Sequence, residues 1–241
     1  MSESRRSGEK GRGMLQEVFG DMPLPREAKA FDPGYEDYWK ERIQTGVLTT
    51  PAVRRAAGVL GFISDGESVL DVGCGTGDTL AFIAQSRSID GTGLDISETA
   101  LEAVRSRGFR AVHADLTKDG AALDGMYDHI ILFEVVEHVI DPETLVRALA
   151  GHFRKGLYMT TPNLGYIAHR LRLLAGRFPV TYISDPREHL RYWSTRDFRV
   201  WCEWTGLGRP QVIGLNGKAG FLARRVPSLF ASEVLYRLTP R

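Results

Sequence analysis

From residue 67 onward, short apolar runs alternate with stretches whose apolar residues recur at helical spacing. "ESVLDVG" predicts a strand and "GDTLAFIAQS" a helix. "IDGTGLDIS" predicts a second strand ending in an acid. "SETALEAVRSRG" predicts a helix with Ser97 as its cap, Ala100 and Leu101 facing inward, and Gly108 closing it. "FRAVHADL" is the third expected strand. "YDHIILFEVV" is the fourth, nearly continuous in apolar residues, as a strand buried on both faces should be. "DPETLVRALAGHF" predicts a helix and "KGLYMTTPN" a fifth strand. This alternation predicts an α/β fold: a mostly parallel sheet with helices on both faces and right-handed crossovers.

After residue 161 the rhythm breaks. "PNLGYIAHRLRLLAGRFPVTYISDPREHLRYWS" is too long for a tight connection and mixes a basic helix with an aromatic loop. A helix resumes in "STRDFRVWCEWTG", capped by Ser194 or Thr195, and "RPQVIGL" and "AGFLARRV" read as two final strands. An insertion beyond the fifth strand of an open sheet lies over the carboxyl ends of the strands, where ligands bind. Residues 162–194 are therefore the expected substrate cap. At the other end, residues 1–30 read as a flexible extension, charged, glycine-rich and without periodicity. The domain is expected to span residues 31–241. Phe31, Tyr35, Tyr38 and Trp39 are denser in aromatics than a disordered tail usually is, so residues 31–64 are expected to supply an aromatic lid and a helix. That helix starts at Thr50 and Pro51 and runs to about residue 63.

The chain has 241 residues, the length of one ordinary domain. Its formal net charge of +1 removes any electrostatic argument for nucleic acid as a partner. The two cysteines, Cys74 and Cys202, form no metal-ligand spacing and no disulfide framework, so a reducing, cytoplasmic setting is expected. No apolar run approaches the ~18 residues of a membrane span, and no basic start precedes an apolar stretch as in a signal peptide.

The chemistry concentrates in "VLDVGCGTGDTL". A glycine turn after the first strand of such a sheet lets the backbone approach a ligand. Gly73, Gly75 and Gly77 do not fit the dinucleotide spacing G-x-G-x-x-G, because position 78 is an aspartate that would repel a pyrophosphate. The G-x-x-x-x-G-K-[ST] loop of nucleotide hydrolases is absent as well. S-adenosylmethionine has the opposite needs: no phosphate, but a sulfonium and an ammonium that favour nearby carboxylates. Asp71 suits those cations. Asp95, with Ile96 beside it, suits the two ribose hydroxyls. Asp115 can accept from the adenine amino group, and Leu116 can offer a backbone amide and an apolar wall. These three acids end three consecutive expected strands.

The block from Val69 to about Phe198 resembles class I S-adenosylmethionine-dependent methyltransferases, on the strength of "VLDVGCGTG", "GLDIS" and "HADL" in that order. "FEVVEHVIDP" is similar to the ubiquinone-biosynthesis O-methyltransferase branch, and "TTPNLGYIAHRLRLLAGRFPV" to the methionine-biosynthesis protein W family. "EHLRYWSTRDF" is similar to a segment of many small-molecule and glycan methyltransferases. The resemblance implies a seven-stranded Rossmann-like sheet, S-adenosylmethionine as cofactor, and methyl transfer to a small-molecule, glycan or lipid-linked acceptor by in-line displacement, with O-methylation expected. The alternative it raises is a regulatory subunit that binds an acyltransferase.

Several residues carry two readings. Glu134 lines the cofactor site or is a solvated loop acid. His138 and His189 are candidate general bases, yet His138 can equally brace a loop and His189 can pack within the cap with Arg191, Tyr192 and Trp193. Asp95 can simply cap the helix that follows. Cys74 is small filler in the turn. No metal-ligand cluster stands out, so metal independence is expected. The C-terminal "FASEVLYRLTPR" is amphipathic and basic, and either docks on the core or touches a membrane or lipid-linked substrate.

Overall fold

The computed structural model describes residue 18 and residues 50–115, 123, 125–179, 189–217 and 220–240. Leu116, the four aromatics of the expected lid, residues 180–188 of the expected cap and all of the expected extension except Val18 lie outside the described residues. In chain order the elements are α1 (Thr50–Val59), a 3-10 turn (Leu60–Phe62), β1 (Glu67–Val72), α2 (Asp78–Ala84), β2 (Ile89–Asp95), α3 (Glu98–Ser106) and β3 (Arg110–His113). Then follow β4 (Tyr127–Phe133), α4 (Pro142–Leu149), β5 (Phe153–Pro162), α5 (Ile167–Leu174), α6 (Thr195–Trp204), β6 (Gln211–Asn216), α7 (Gly220–Arg225), α8 (Pro227–Phe230) and β7 (Glu233–Leu238).

The strands form one seven-stranded sheet in the order β3-β2-β1-β4-β5-β7-β6. The first five are parallel, and β7 runs antiparallel to both β5 and β6. The order reverses between β1 and β4, which opens a crevice at the carboxyl ends of those strands. Both faces of the sheet are buried. Leu70 and Val72 of β1 join Ile130 and Leu132 of β4 in one core, with α4 and α6 packed on it. Val69 and Ile131, one residue out of phase, join Leu80 and Ile83 of α2 and Val59 of α1 in the other. That period of two explains why β1 and β4 read as continuous apolar runs. Truncating a fully buried residue here, such as Leu132→Ala, is expected to cost about 2–5 kcal/mol.

The caps follow local chemistry. Ser97 Oγ accepts from the Ala100 N–H, Asp141 from Thr144 with Pro142 in the first turn, and Ser194 from Asp197. Ser194 thus takes the cap that sequence left open between it and Thr195.

One expectation fails at the C-terminal end, and one open alternative resolves. "AGFLARRV" does not form a strand. Residues Gly220–Arg225 form the helix α7, with Ala223 buried and Phe221 and Leu222 exposed. The last strand comes instead from "FASEVLYRLTPR", the segment read as either docking on the core or touching a membrane, and it takes the core branch. It inserts between β5 and β6 with Val234, Leu235, Tyr236 and Leu238 buried, so this segment offers no apolar surface face to a membrane. Its basic residue Arg237 lies with its guanidinium 4.4 Å from the Phe62 ring centre, which covers the charge at the sheet's amino end. Among the described residues, no helix is long and apolar enough to cross a membrane.

Candidate active site

The crevice at the carboxyl ends of β1, β2 and β4 gathers most of the residues picked out from sequence. The turn after β1 carries Gly73, Gly75 and Gly77, with φ of 69°, 51° and 76°. Side chains rarely adopt that left-handed region. Space opposes a side chain at Gly73 too, since a Cβ there would sit 2.7 Å from Val135 Cγ2. That contact also shows that the turn touches the loop after β4, so the two halves of the crevice adjoin. The Gly73 and Cys74 N–H groups donate to the Leu94 carbonyl at 2.8 and 3.1 Å, which fastens the turn to β2. Cys74 is buried within the turn, as expected of filler.

Asp95 is more than a helix cap. Ser97 caps α3, while the buried Asp95 carboxylate accepts from the Gly75 N–H at 2.8 Å and from the Ser97 N–H at 3.0 Å. It therefore links the glycine turn to the loop that carries Ile96. Asp115 follows β3 and is half-buried. Asp71 is 2 % exposed, and its Oδ2 has no hydrogen-bond partner among the described residues. Burial first, and then the charges of Asp95 and Asp78, push its carboxyl up to about 8. A buried carboxylate without donors is costly, and a cation or donor-bearing ligand would relieve it.

The second half of the crevice lies past β4. Glu134 has a φ of 55° and is the one described non-glycine residue in the left-handed region. Its N–H donates to the Thr160 carbonyl and hydroxyl at 3.3 and 3.1 Å. Its side chain is partly buried, with Oε1 shielded from solvent. Burial and the nearby Glu233 raise its carboxyl to about 7, against the pull of Arg55. Arg55 reaches over from α1, with Nη1 3.2 Å from Glu233 and 3.8 Å from Glu134.

Glu137, which sequence reading passed over, is 1 % exposed, and neither carboxyl oxygen has a hydrogen-bond partner among the described residues. Burial and then Glu134 hold its carboxyl well above the usual range. Its carbonyl accepts from the Leu190 and Arg191 N–H groups at 2.8 and 3.2 Å, so the end of the cap is tied down beside it. This places His189 against His138, with ring centres 4.8 Å apart. One ligand atom from each of Glu137, His138 and His189 lies within 4.8 Å of the others. The only sequence signal for Glu137 was the spacing of two glutamates in "EVVEH".

The arrangement can hold cationic and hydroxyl-bearing parts of one ligand beside the glycine turn, and present two imidazoles and a buried carboxyl to a second. Comparison with known proteins identifies the family. The family model described as "Methyltransferase domain" matches residues 39–208. The ubiquinone biosynthesis O-methyltransferase of Aromatoleum aromaticum is 27 % identical over 163 residues, covering 63 % of this chain and 68 % of the relative. That of Bordetella avium is 34 % identical over 146 residues, covering 56 % and 57 %. In fold, the chain is similar to a structure of the Haloferax volcanii complex between the Trm112 methyltransferase activator and the putative methyltransferase. The TM-score is 0.62 at 16 % identity, over 88 % of this chain and 97 % of that one. It is also similar to magnesium protoporphyrin IX methyltransferase of Synechocystis PCC 6803 with bound SAH, at a TM-score of 0.58 and 18 % identity, over 86 % and 94 %. The chain belongs to the methyltransferase-domain family and is an S-adenosylmethionine-dependent methyltransferase.

Proposed function

We propose that the protein transfers the methyl group of S-adenosylmethionine to a hydroxyl of a small-molecule acceptor held under the cap. One observation carries this reading: the orphaned carboxylate of Asp71 and the His138–His189 pair occupy adjoining halves of one crevice, joined where Gly73 meets Val135. Asp71 faces the cofactor's cationic end. Asp95 accepts from the ribose hydroxyls. Ile96, Asp115 and Leu116 serve the adenine, and Glu134 closes the site from the β4 side. Alignment of acceptor oxygen, methyl carbon and sulfur supplies most of the rate, up to ~7–11 kcal/mol in favourable cases. His138 or His189 takes the hydroxyl proton as the oxygen attacks, adding roughly 10²–10⁴-fold. The sulfonium loses its charge as the bond to carbon breaks, so no oxyanion hole is needed. The name of the curated relatives favours oxygen as the acceptor atom.

A second reading rests on the closeness of Glu137, His138 and His189. One carboxylate and two imidazoles are a donor set that fits a divalent cation. Bound there, a cation would act as a Lewis acid and make an acceptor hydroxyl more acidic, lowering its pKa. Turnover with candidate phenolic acceptors, before and after dialysis against a chelator, separates the two. Full activity after chelation supports the histidine base. Loss restored by a divalent cation supports the metal reading. If no acceptor is methylated while a stoichiometric acyltransferase co-purifies, the regulatory-subunit alternative replaces both.

A further inference from the structure

The loop between β2 and α3 carries Asp95, and its shape depends on one peptide plane. The N–H of the Ile96–Ser97 peptide donates to Asp95 Oδ1 at 3.0 Å. The carbonyl of the same peptide lies 2.7 Å from Nε2 of His113. A carbonyl can only accept, so Nε2 carries the proton. The peptide is planar, and its N–H and C=O point to opposite sides, so a partner on the carbonyl also aims the N–H. Register explains why His113 is available: β2 and β3 run parallel with Asp95 opposite His113. The strand β3 is four residues long, lies at the sheet edge and is largely exposed, so its main chain holds the loop weakly. The main-chain bond from the Ala114 N–H to the Asp95 carbonyl, at 3.1 Å, ties the strand end but does not reach the carbonyl of the next peptide. The His113 side chain supplies that missing restraint.

We propose that His113 is a positioning residue for the cofactor: by holding the Ile96 carbonyl, it fixes the peptide whose N–H orients the Asp95 carboxylate toward the ribose. This rests on the reading that Asp95 binds the ribose hydroxyls. The bond is exposed and contributes little to folding, so its effect belongs to ligand binding. Gln can place an amide N–H near the position of His Nε2, whereas Ala cannot.

The test is calorimetric titration of S-adenosylhomocysteine into the wild type, His113→Ala, His113→Gln, Asp95→Ala and the Asp95→Ala/His113→Ala double variant, with ligand-free melting curves alongside. His113→Ala is expected to weaken binding roughly fivefold, the middle of the range for one hydrogen bond. His113→Gln is expected to stay within about twofold of wild type, and ligand-free melting to change little. The double variant is expected to bind no more weakly than Asp95→Ala, because the two residues act in series. Additive losses would overturn the route through the peptide. Wild-type affinity in His113→Ala, with Asp95→Ala weakened, would overturn the role of His113 and leave the ribose reading intact. Wild-type affinity in Asp95→Ala would overturn the ribose reading and this inference with it.

Discussion

The two ends of the sheet use the same residue types to opposite effect. At the amino end, Glu67 of β1 is buried and fully partnered. It accepts from the Ser64 N–H and from His129 Nε2, both at 2.7 Å, and from Lys155 Nζ. His129 in turn meets the Tyr158 hydroxyl at 3.2 Å. Burial alone would raise the Glu67 carboxyl, but Lys155, the Ser64 N–H and His129 outweigh it and bring it down to about 2. At the carboxyl end, Asp71 and Glu137 are more deeply buried and lack such donors, and burial moves their carboxyls up. A glutamate beside a histidine therefore says little by itself. A satisfied network is scaffold, and an unsatisfied one is where a ligand completes the structure.

Breaking the satisfied end should cost most. Glu67→Ala leaves His129 buried without its carboxylate and is expected to destabilise the fold by about 3 kcal/mol, lowering the melting temperature by roughly 6–12 °C for a chain of this size. Glu137→Gln, at the unsatisfied end, is expected to leave the melting temperature unchanged or raise it, because it removes an uncompensated buried acid. The pH dependence has a definite sign. Glu67 has a folded value below its ordinary 4.5, so its contribution is present above about pH 4.5 and is lost as pH falls toward 2. Chemical denaturation of wild type and Glu67→Ala at pH 7 and pH 3 checks this. The gap between them should narrow at the lower pH, and a constant gap would mean that Glu67 acts by packing alone.

The next effect is on turnover. His138→Ala and His189→Ala are expected to keep S-adenosylmethionine affinity within about threefold, and at least one should lower turnover by roughly 10²-fold, as for a lost general base. Full turnover in both would leave alignment as the sole source of rate.

The contrast between the two ends also marks what the sequence made legible. Strands β1 to β5 stood out because their apolar runs are local and bounded by turns. The glycine turn, Asp71 and Asp95 stood out because their spacing is a local signature. Strand β7 did not, since a strand between β5 and β6 has no alternation to show, and Arg237 reads as solvent-facing until Phe62 comes beneath it. Glu137 was missed because its burial depends on the cap closing at Leu190 and Arg191. Arg55 and Glu233 meet across 178 residues, a contact no window of sequence contains.

A smaller effect follows from Asp71. Its raised carboxyl, at about 8, is largely protonated in the free protein at pH 7. A cationic ligand beside it favours the ionised form, so cofactor binding should release part of a proton. Calorimetry of S-adenosylhomocysteine binding at pH 7 in buffers of different ionisation enthalpy reads this directly, and an enthalpy independent of buffer would remove Asp71 from contact with the cofactor's charge.

The central claim is that the unsatisfied carboxyl end holds the cofactor and the satisfied amino end does not. Titration of S-adenosylhomocysteine into wild type, Asp71→Asn and Glu67→Gln, each confirmed folded at the working temperature, tests it most directly. The expected result is saturable one-site binding to wild type, at least tenfold weaker binding to Asp71→Asn, and wild-type affinity in Glu67→Gln. Undiminished affinity in Asp71→Asn, together with weakened binding in Glu67→Gln, would contradict it.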